Sequence, residues 1–361
     1  MRMPAFEIWL RTMGVSLSVV IALATSPAGL AAAGNQAVSQ APTADQIVNQ
    51  LQENGGVFPG FRRNHAKGVC VSGYFESSGG ATRYSVAQVF ISGERTPVIG
   101  RLSIPGTNPY AWDDGTPIRG MALMFLQADG QQWRTAMNAV PFFPVATPAA
   151  NYEFLKAQQP LPTTGDPDPK KLAAFFASHP TANAFRIWDR TTKPSASYAT
   201  VQYNSLDSFY LVDAESHRYA VRWSMVPEAI ADGRAAPTDQ PDFLATDLRQ
   251  RLSQGPLRWR LVVTLANPGD RVNDAAIAWL ADRRHIDAGT LVIRASQPQS
   301  IGVCRDISFN PLVLPRGIEP SDDPLLQDRA ETYAESLRRC LRDESRQHAT
   351  TVAPSPSTHP Q

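Results

Sequence analysis

Short apolar runs separated by clusters of Gly, Pro, Asn and Asp set the rhythm of the first half of the chain. Val69–Phe75, Val86–Ile91, Pro97–Ile104 and Met121–Leu126 each have strand length and carry β-branched and aromatic residues. Strands at this spacing predict a sandwich or a barrel. Between Asn151 and Arg190 the pattern changes. Tyr152–Leu155 and Lys170–Ser178 follow a helical period and are joined by the proline-rich stretch Gln159–Pro169. Strand-like runs resume at Ser208–Val212, Tyr219–Trp223, Leu257–Ala266, Gly289–Arg294 and Ile301–Ile307, with a helix expected over Ala245–Ser253. The sum is an α+β chain, a large antiparallel β-domain with helical excursions.

Both ends of that domain are punctuated. Thr43-Ala44-Asp45-Gln46 has the form of a capping box, and Ile47, Leu51 and Gly55 outline a short helix with a glycine stop. The last helix opens with Asp323 as cap and Pro324 at its first position, and Leu326, Ala330, Tyr333, Leu337 and Leu341 form its apolar stripe. Ahead of the domain, Arg2 and Arg11 supply a basic region before an apolar segment, Met13–Thr25, followed by small residues at Ala31–Ala33. This is the pattern of an export signal over residues 1–33. A linker over 34–42, a folded domain over 43–346 and a low-complexity, disordered tail over 347–361 complete the expected organisation. The expected location is periplasmic or secreted, with no membrane span once the signal is removed.

Composition narrows the function classes. The chain has 361 residues and a formal net charge of +1, so nothing electrostatic points to nucleic acid. Its 30 prolines suit loop-rich β architecture. Cys70, Cys304 and Cys340 are far apart and lack paired spacing, which argues against a zinc site. An odd count permits at most one internal bridge, and small buried hydrophobes are the preferred reading for each.

Two places carry chemistry. His65 lies in Arg62-Arg63-Asn64-His65-Ala66-Lys67-Gly68, where a loop enters a strand. In a closed cavity, burial and the neighbouring cations favour neutral imidazole, a group able to take and return a proton. Far downstream, Arg329 precedes Tyr333 by one helical turn, so the two side chains are neighbours. A cation there stabilises a phenolate, and a phenolate can bind ferric iron.

Together these stretches resemble the haem catalases, and more closely their short exported branch, the catalase-related peroxidases. The resemblance spans Asp45 to Leu341. It rests on Arg62-x-x-His65-Ala66-Lys67-Gly68, Thr82-Arg83-Tyr84-Ser85 through Phe90, Arg95-Thr96-Pro97, Arg119-Gly120-Met121-Ala122, Asn138, Gly317-Ile318-Glu319-Pro320 and Arg329-x-x-x-Tyr333. It implies a catalase-like antiparallel β-barrel with a proximal C-terminal helix, without the helical C-terminal domain of full-length catalases.

By the same resemblance, His65 is the distal acid–base residue, Asn138 positions bound peroxide and Ser103 orients the imidazole. Tyr333 is the axial iron ligand of haem b, with Arg329 holding it as phenolate. Arg62 and Arg101 pair with the haem propionates, and Phe143 or Phe142 lies against the haem plane. Where catalases carry a further arginine beyond the tyrosine, this chain has Cys340, with Arg338 and Arg339 beside it. The implied activity is reduction of hydrogen peroxide or organic peroxides by a small organic reductant, through a ferryl intermediate, with room for weak catalase turnover. A hydroperoxide isomerase of the allene-oxide-synthase type and a non-enzymatic exported haem-binding protein are the alternatives. Oligomeric state is left open between a monomer and a small oligomer. Trp133, Trp223 and Trp279 are expected in the core.

Overall fold

The computed structural model describes residues 41–231 and 233–352. The expected export signal, most of the linker and residues 353–361 of the expected tail lie outside the described residues. Helix α1 (Ala44–Gly55) begins as its sequence predicts: Thr43 Oγ1 accepts from Gln46 N at 3.2 Å, and Thr43 N donates to Gln46 Oε1 at 2.8 Å.

The β-domain is one antiparallel sheet that closes on itself. Its members are β1 (Gly68–Ser77), β2 (Arg95–Ser103), β3 (Gly120–Leu126), β4 (Gln132–Asn138), β5 (Tyr203–Asn204), β6 (Phe209–Val212), β7 (Arg218–Pro227), β8 (Leu257–Leu265), β9 (His285–Pro298) and β10 (Ile318–Pro320). The order is β10-β6-β7-β5-β4-β3-β2-β1-β9-β8, and pairing of β7 with β8 completes an eight-stranded barrel with β6 and β10 as an extension. Phe125 stacks on Trp133 at 4.6 Å and Trp223 meets Trp133 edge-on at 5.1 Å, so the barrel interior is packed rather than hollow.

Helices α2 (Pro148–Ala157), α3 (Pro169–Ser178) and α4 (Asn183–Thr191) form a separate apolar cluster around Phe154, Phe175 and Phe185. Helix α5 (Phe243–Gln254) precedes β8, and α6 (Pro324–Val352) follows β10. Asp323 caps α6, with Leu325 N donating to its Oδ1 at 3.0 Å. Arg339 ties α6 to α1 through Asp45, Asn49 and Gln52. No helix among the described residues is long and apolar enough to cross a membrane.

Several expectations are corrected. Val86–Ile91 is not a strand but a short 3-10 turn over Gln88–Phe90, closed by Phe90 N to Ala87 O at 3.0 Å. Its Val89 and Phe90 are buried, which accounts for the apolar run. Ile301–Ile307 is also not a strand. Gly302 and Cys304 belong to a loop whose carbonyls turn toward a side chain instead of a neighbouring strand. Strand β4 escaped the sequence reading because Gln132, Arg134 and Asn138 interrupt its apolar pattern, although Trp133 and Met137 alternate inward. Leu341 is exposed rather than part of the stripe, and Trp279 lies half-buried beneath the Arg222 guanidinium, outside the core. Helix α6 continues to Val352 and so overlaps the expected tail. Finally, Cys70 and Cys304 are joined in a disulfide, and only Cys340 remains a buried thiol.

Candidate active site

Alternation along β2, β3 and β4 sorts side chains between the barrel core and an outer wall. Leu102, Met121, Leu123, Trp133 and Met137 point inward. The intervening residues face the other way. Register then aligns them in rows: Ser103 opposes Gly120, which opposes Asn138, and Arg101 opposes Ala122, which opposes Ala136. Gly120, Ala122 and Ala136 leave the middle of this wall nearly flat. Helix α6 supplies the opposite wall through Arg329, Thr332, Tyr333 and Ser336, spaced to share one face. Between them lies a slot that brings together His65, Ser103, Asn138, Arg62, Arg101, Arg329 and Tyr333.

His65 enters this cavity from the loop before β1. Its φ of 51° is in the left-handed region, uncommon for a residue with a Cβ. Asn64 holds the turn: its Oδ1 accepts from His65 N at 2.8 Å and from Gly106 N at 2.9 Å. The ring's Nδ1 is 3.0 Å from Ser103 Oγ. A Cβ at position 120 would lie 3.0 Å from both His65 Cε1 and Ser103 Oγ, so glycine there leaves the imidazole its place. Burial lowers the His65 pKa to about 3, assisted by Arg101, Arg329 and Arg62. The imidazole is therefore neutral at physiological pH.

On α6, Arg329 Nη2 donates to Tyr333 Oη at 3.2 Å and to Ala136 O at 3.0 Å. Its Nη1 forms a buried ion pair with Asp207. Burial alone would lower the Arg329 pKa, but Asp207 and the tyrosine oxygen outweigh it and hold the guanidinium charged.

At the other end, Arg62 and Arg101 are unlike most buried arginines. Arg62 donates to the carbonyls of Cys304, Arg305 and Ile307, and Arg101 donates to Ala66 O and Gln299 Oε1. Among the described residues neither meets a carboxylate. Burial and the proximity of Arg62 push Arg101 down to about 9. Two buried cations that repel each other make a receptor for an anion.

The matched family model is "Catalase", covering residues 57–350. The chain belongs to the catalase family. A catalase-related peroxidase of Synechococcus elongatus is 36% identical over 341 residues, covering 92% of this chain and 97% of that one. Another from Mycolicibacterium paratuberculosis is 31% identical, covering 82% and 94%. A Glandirana rugosa catalase is 28% identical, and the alignment takes in only 55% of its length. Catalase A from Saccharomyces cerevisiae shares the fold, with a TM-score of 0.68, 21% identity and coverage of 82% of this chain and 64% of that one.

Within this catalase-family site, Phe143 lines a wider cavity that shares His65, Asn138 and Tyr333 with the slot, whereas Phe142 lines neither. Arg338 is exposed and paired with Glu335, and Arg339 is spent on α1, so neither lines the slot. Cys340 instead donates to Gly60 O at 3.1 Å, beside Arg62. Sequence reasoning missed Asp207, Asn64, Gln299 and the cysteine pair. Only the Asn64–His65 adjacency left a local signal for any of them.

Proposed function

We propose that the protein is a haem b peroxidase, reducing hydrogen peroxide or organic peroxides at the expense of a small organic donor. The observation that carries this reading is the slot itself: a neutral, Ser103-backed His65 on one wall and the Arg329–Tyr333 pair on the other. The residues fit the cofactor. A flat floor of Gly120, Ala122 and Ala136 suits a planar macrocycle. Tyr333 offers a phenol oxygen beside a fixed cation, and Arg62 and Arg101 lack the carboxylates that two propionates would bring. Bound there, haem b would supply the redox centre that accepts the peroxide's two oxidising equivalents and passes them to the donor.

The chain's own residues divide the remaining work. The bond between Nδ1 and Ser103 fixes the imidazole plane and leaves Nε2 for substrate. His65 would take the proton from one peroxide oxygen and return it to the other, so that the O–O bond breaks as water or an alcohol leaves. Asn138 Oδ1 is buried with no partner among the described residues, which suits a group that holds peroxide over the wall. The wider cavity around Phe143 and Phe154 supports entry of organic peroxides. The Cys70–Cys304 disulfide, with the expected leader, supports a periplasmic or secreted location.

The test is reconstitution with haem followed by rapid mixing with peroxide and an organic donor. Donor-dependent peroxide consumption is expected. A protein that takes up haem yet shows no spectral response to peroxide would be a carrier. A lipid hydroperoxide rearranged rather than reduced would indicate isomerase chemistry.

A further inference from the structure

The loop between β9 and β10 holds both arginines of the slot. Arg62 Nη2 reaches the carbonyls of Cys304 at 3.1 Å, Arg305 at 2.6 Å and Ile307 at 2.6 Å. Arg101 Nη2 reaches Gln299 Oε1 at 2.5 Å, while Gln299 Nε2 donates to Ala66 O at 2.8 Å. Carbonyl and amide oxygens orient a guanidinium without cancelling its charge, whereas a carboxylate would neutralise it.

Besides the Arg305–Glu344 ion pair and the bond from Arg134 to Ser308 O, that loop has one covalent fastening. Cys304 is bonded to Cys70, 234 residues earlier, and Cys70 sits on β1 directly opposite Arg101 on β2. Two glycines permit the close approach. A Cβ on Gly302 would lie 2.6 Å from Cys70 Sγ, and one on Gly68 would lie 2.6 Å from Arg101 Cζ. The bridge, the loop and the arginine side chain are therefore packed in one layer over β1.

We propose that Cys70, Cys304 and Gln299 are positioning residues of the carboxylate-binding end of the cofactor site. The disulfide pins the loop, the loop's carbonyls aim Arg62, and the Gln299 amide aims Arg101, so that both cations converge on the two carboxylates of the macrocycle. This rests on the haem reading above. Preorganising two charged donors before binding removes the cost of ordering them at binding, which is how remote residues add affinity without touching the ligand.

The experiment compares release of haem and of haem dimethyl ester, which has no free carboxylate, to an apomyoglobin scavenger. The proteins are the wild type, the Cys70→Ala/Cys304→Ala double variant and Gln299→Ala. Haem is expected to leave both variants at least about tenfold faster than the wild type, the loss appropriate to a weakened charged hydrogen bond. The ester is expected to leave all three at one rate. Gln299→Glu, which places a competing carboxylate on Arg101, is expected to release haem faster still and to leave the ester unaffected. Equal acceleration for haem and ester would mean a general loosening of the fold and would overturn the proposal, as would unchanged haem release. Gln299→Ala breaks no covalent bond and decides the Arg101 arm, and the same release measured on the folded wild type after reduction of its disulfide decides the Arg62 arm where the double variant fails to fold. If the wild type takes up neither compound, the haem reading itself fails and this proposal with it.

Discussion

Asp207, in the loop between β5 and β6, forms a buried ion pair with Arg329, 122 residues downstream on α6. This pair stands directly behind the Arg329–Tyr333 contact and keeps the guanidinium both charged and correctly turned. Removing Asp207 leaves a buried cation without its partner. Asp207→Ala is expected to cost about 3–5 kcal/mol of stability. Chemical denaturation followed by circular dichroism checks it, and a loss below about 1 kcal/mol would contradict the pairing.

The proposed ligand role of Tyr333 separates cleanly from folding. Phenylalanine preserves the ring in its half-buried position and removes only the oxygen. Tyr333→Phe is expected to fold with a near-unchanged melting temperature and to lose the haem Soret band after reconstitution. A variant that keeps a wild-type Soret band would assign the iron ligand elsewhere.

Gly120 sets the position of the His65 ring through bare space. Gly120→Ala would press a methyl group against His65 and Ser103. Displacement of a general acid–base group by about 1 Å costs on the order of 10²-fold in rate. Peroxidase kcat is expected to fall by about that factor while haem uptake persists. Activity within twofold of wild type would mean that the ring has slack.

The depressed pKa of His65 makes a pH prediction with a definite sign. With the folded value near 3, the ring stays neutral from pH 8 down to about pH 5, and kcat/KM should show no titration near 6.5 from this residue. Stability runs the other way. The unfolded chain takes up a proton at about 6.5 that the folded chain refuses, so stability should decline as pH falls from about 6.5 toward 3. His65→Gln should lessen that decline, and an identical pH dependence of its denaturation midpoint would count against the burial.

The site was legible in sequence where its chemistry is local. Arg329 and Tyr333 are one turn apart on a capped helix, and His65 sits in a short basic motif, so adjacency in the chain already implied adjacency in space. Most of the strands were legible for a related reason, since alternation and turn residues report strands one at a time. That pattern left sandwich and barrel open, and only the catalase resemblance implied the barrel. Asp207 left no such trace. It lies within Ser205-Leu206-Asp207-Ser208, a stretch without a motif, and gains its role only from a helix far away. The stretch 301–307 misled because β-branched residues fit a strand equally well as they fit a loop held by a disulfide and an arginine.

Composition and periodicity therefore indicate most of the elements and which side chains share a face, because both depend on neighbours within a few residues. They fail where an apolar run is buried by distant partners, as at 86–91 and 301–307. Tertiary structure alone settles which faces meet. The register of β2, β3 and β4 puts Ser103, Gly120 and Asn138 in one row, α6 closes over it, and Cys70 finds Cys304. Each of those pairings is bought by packing summed over the whole barrel, and no short stretch of residues contains that sum.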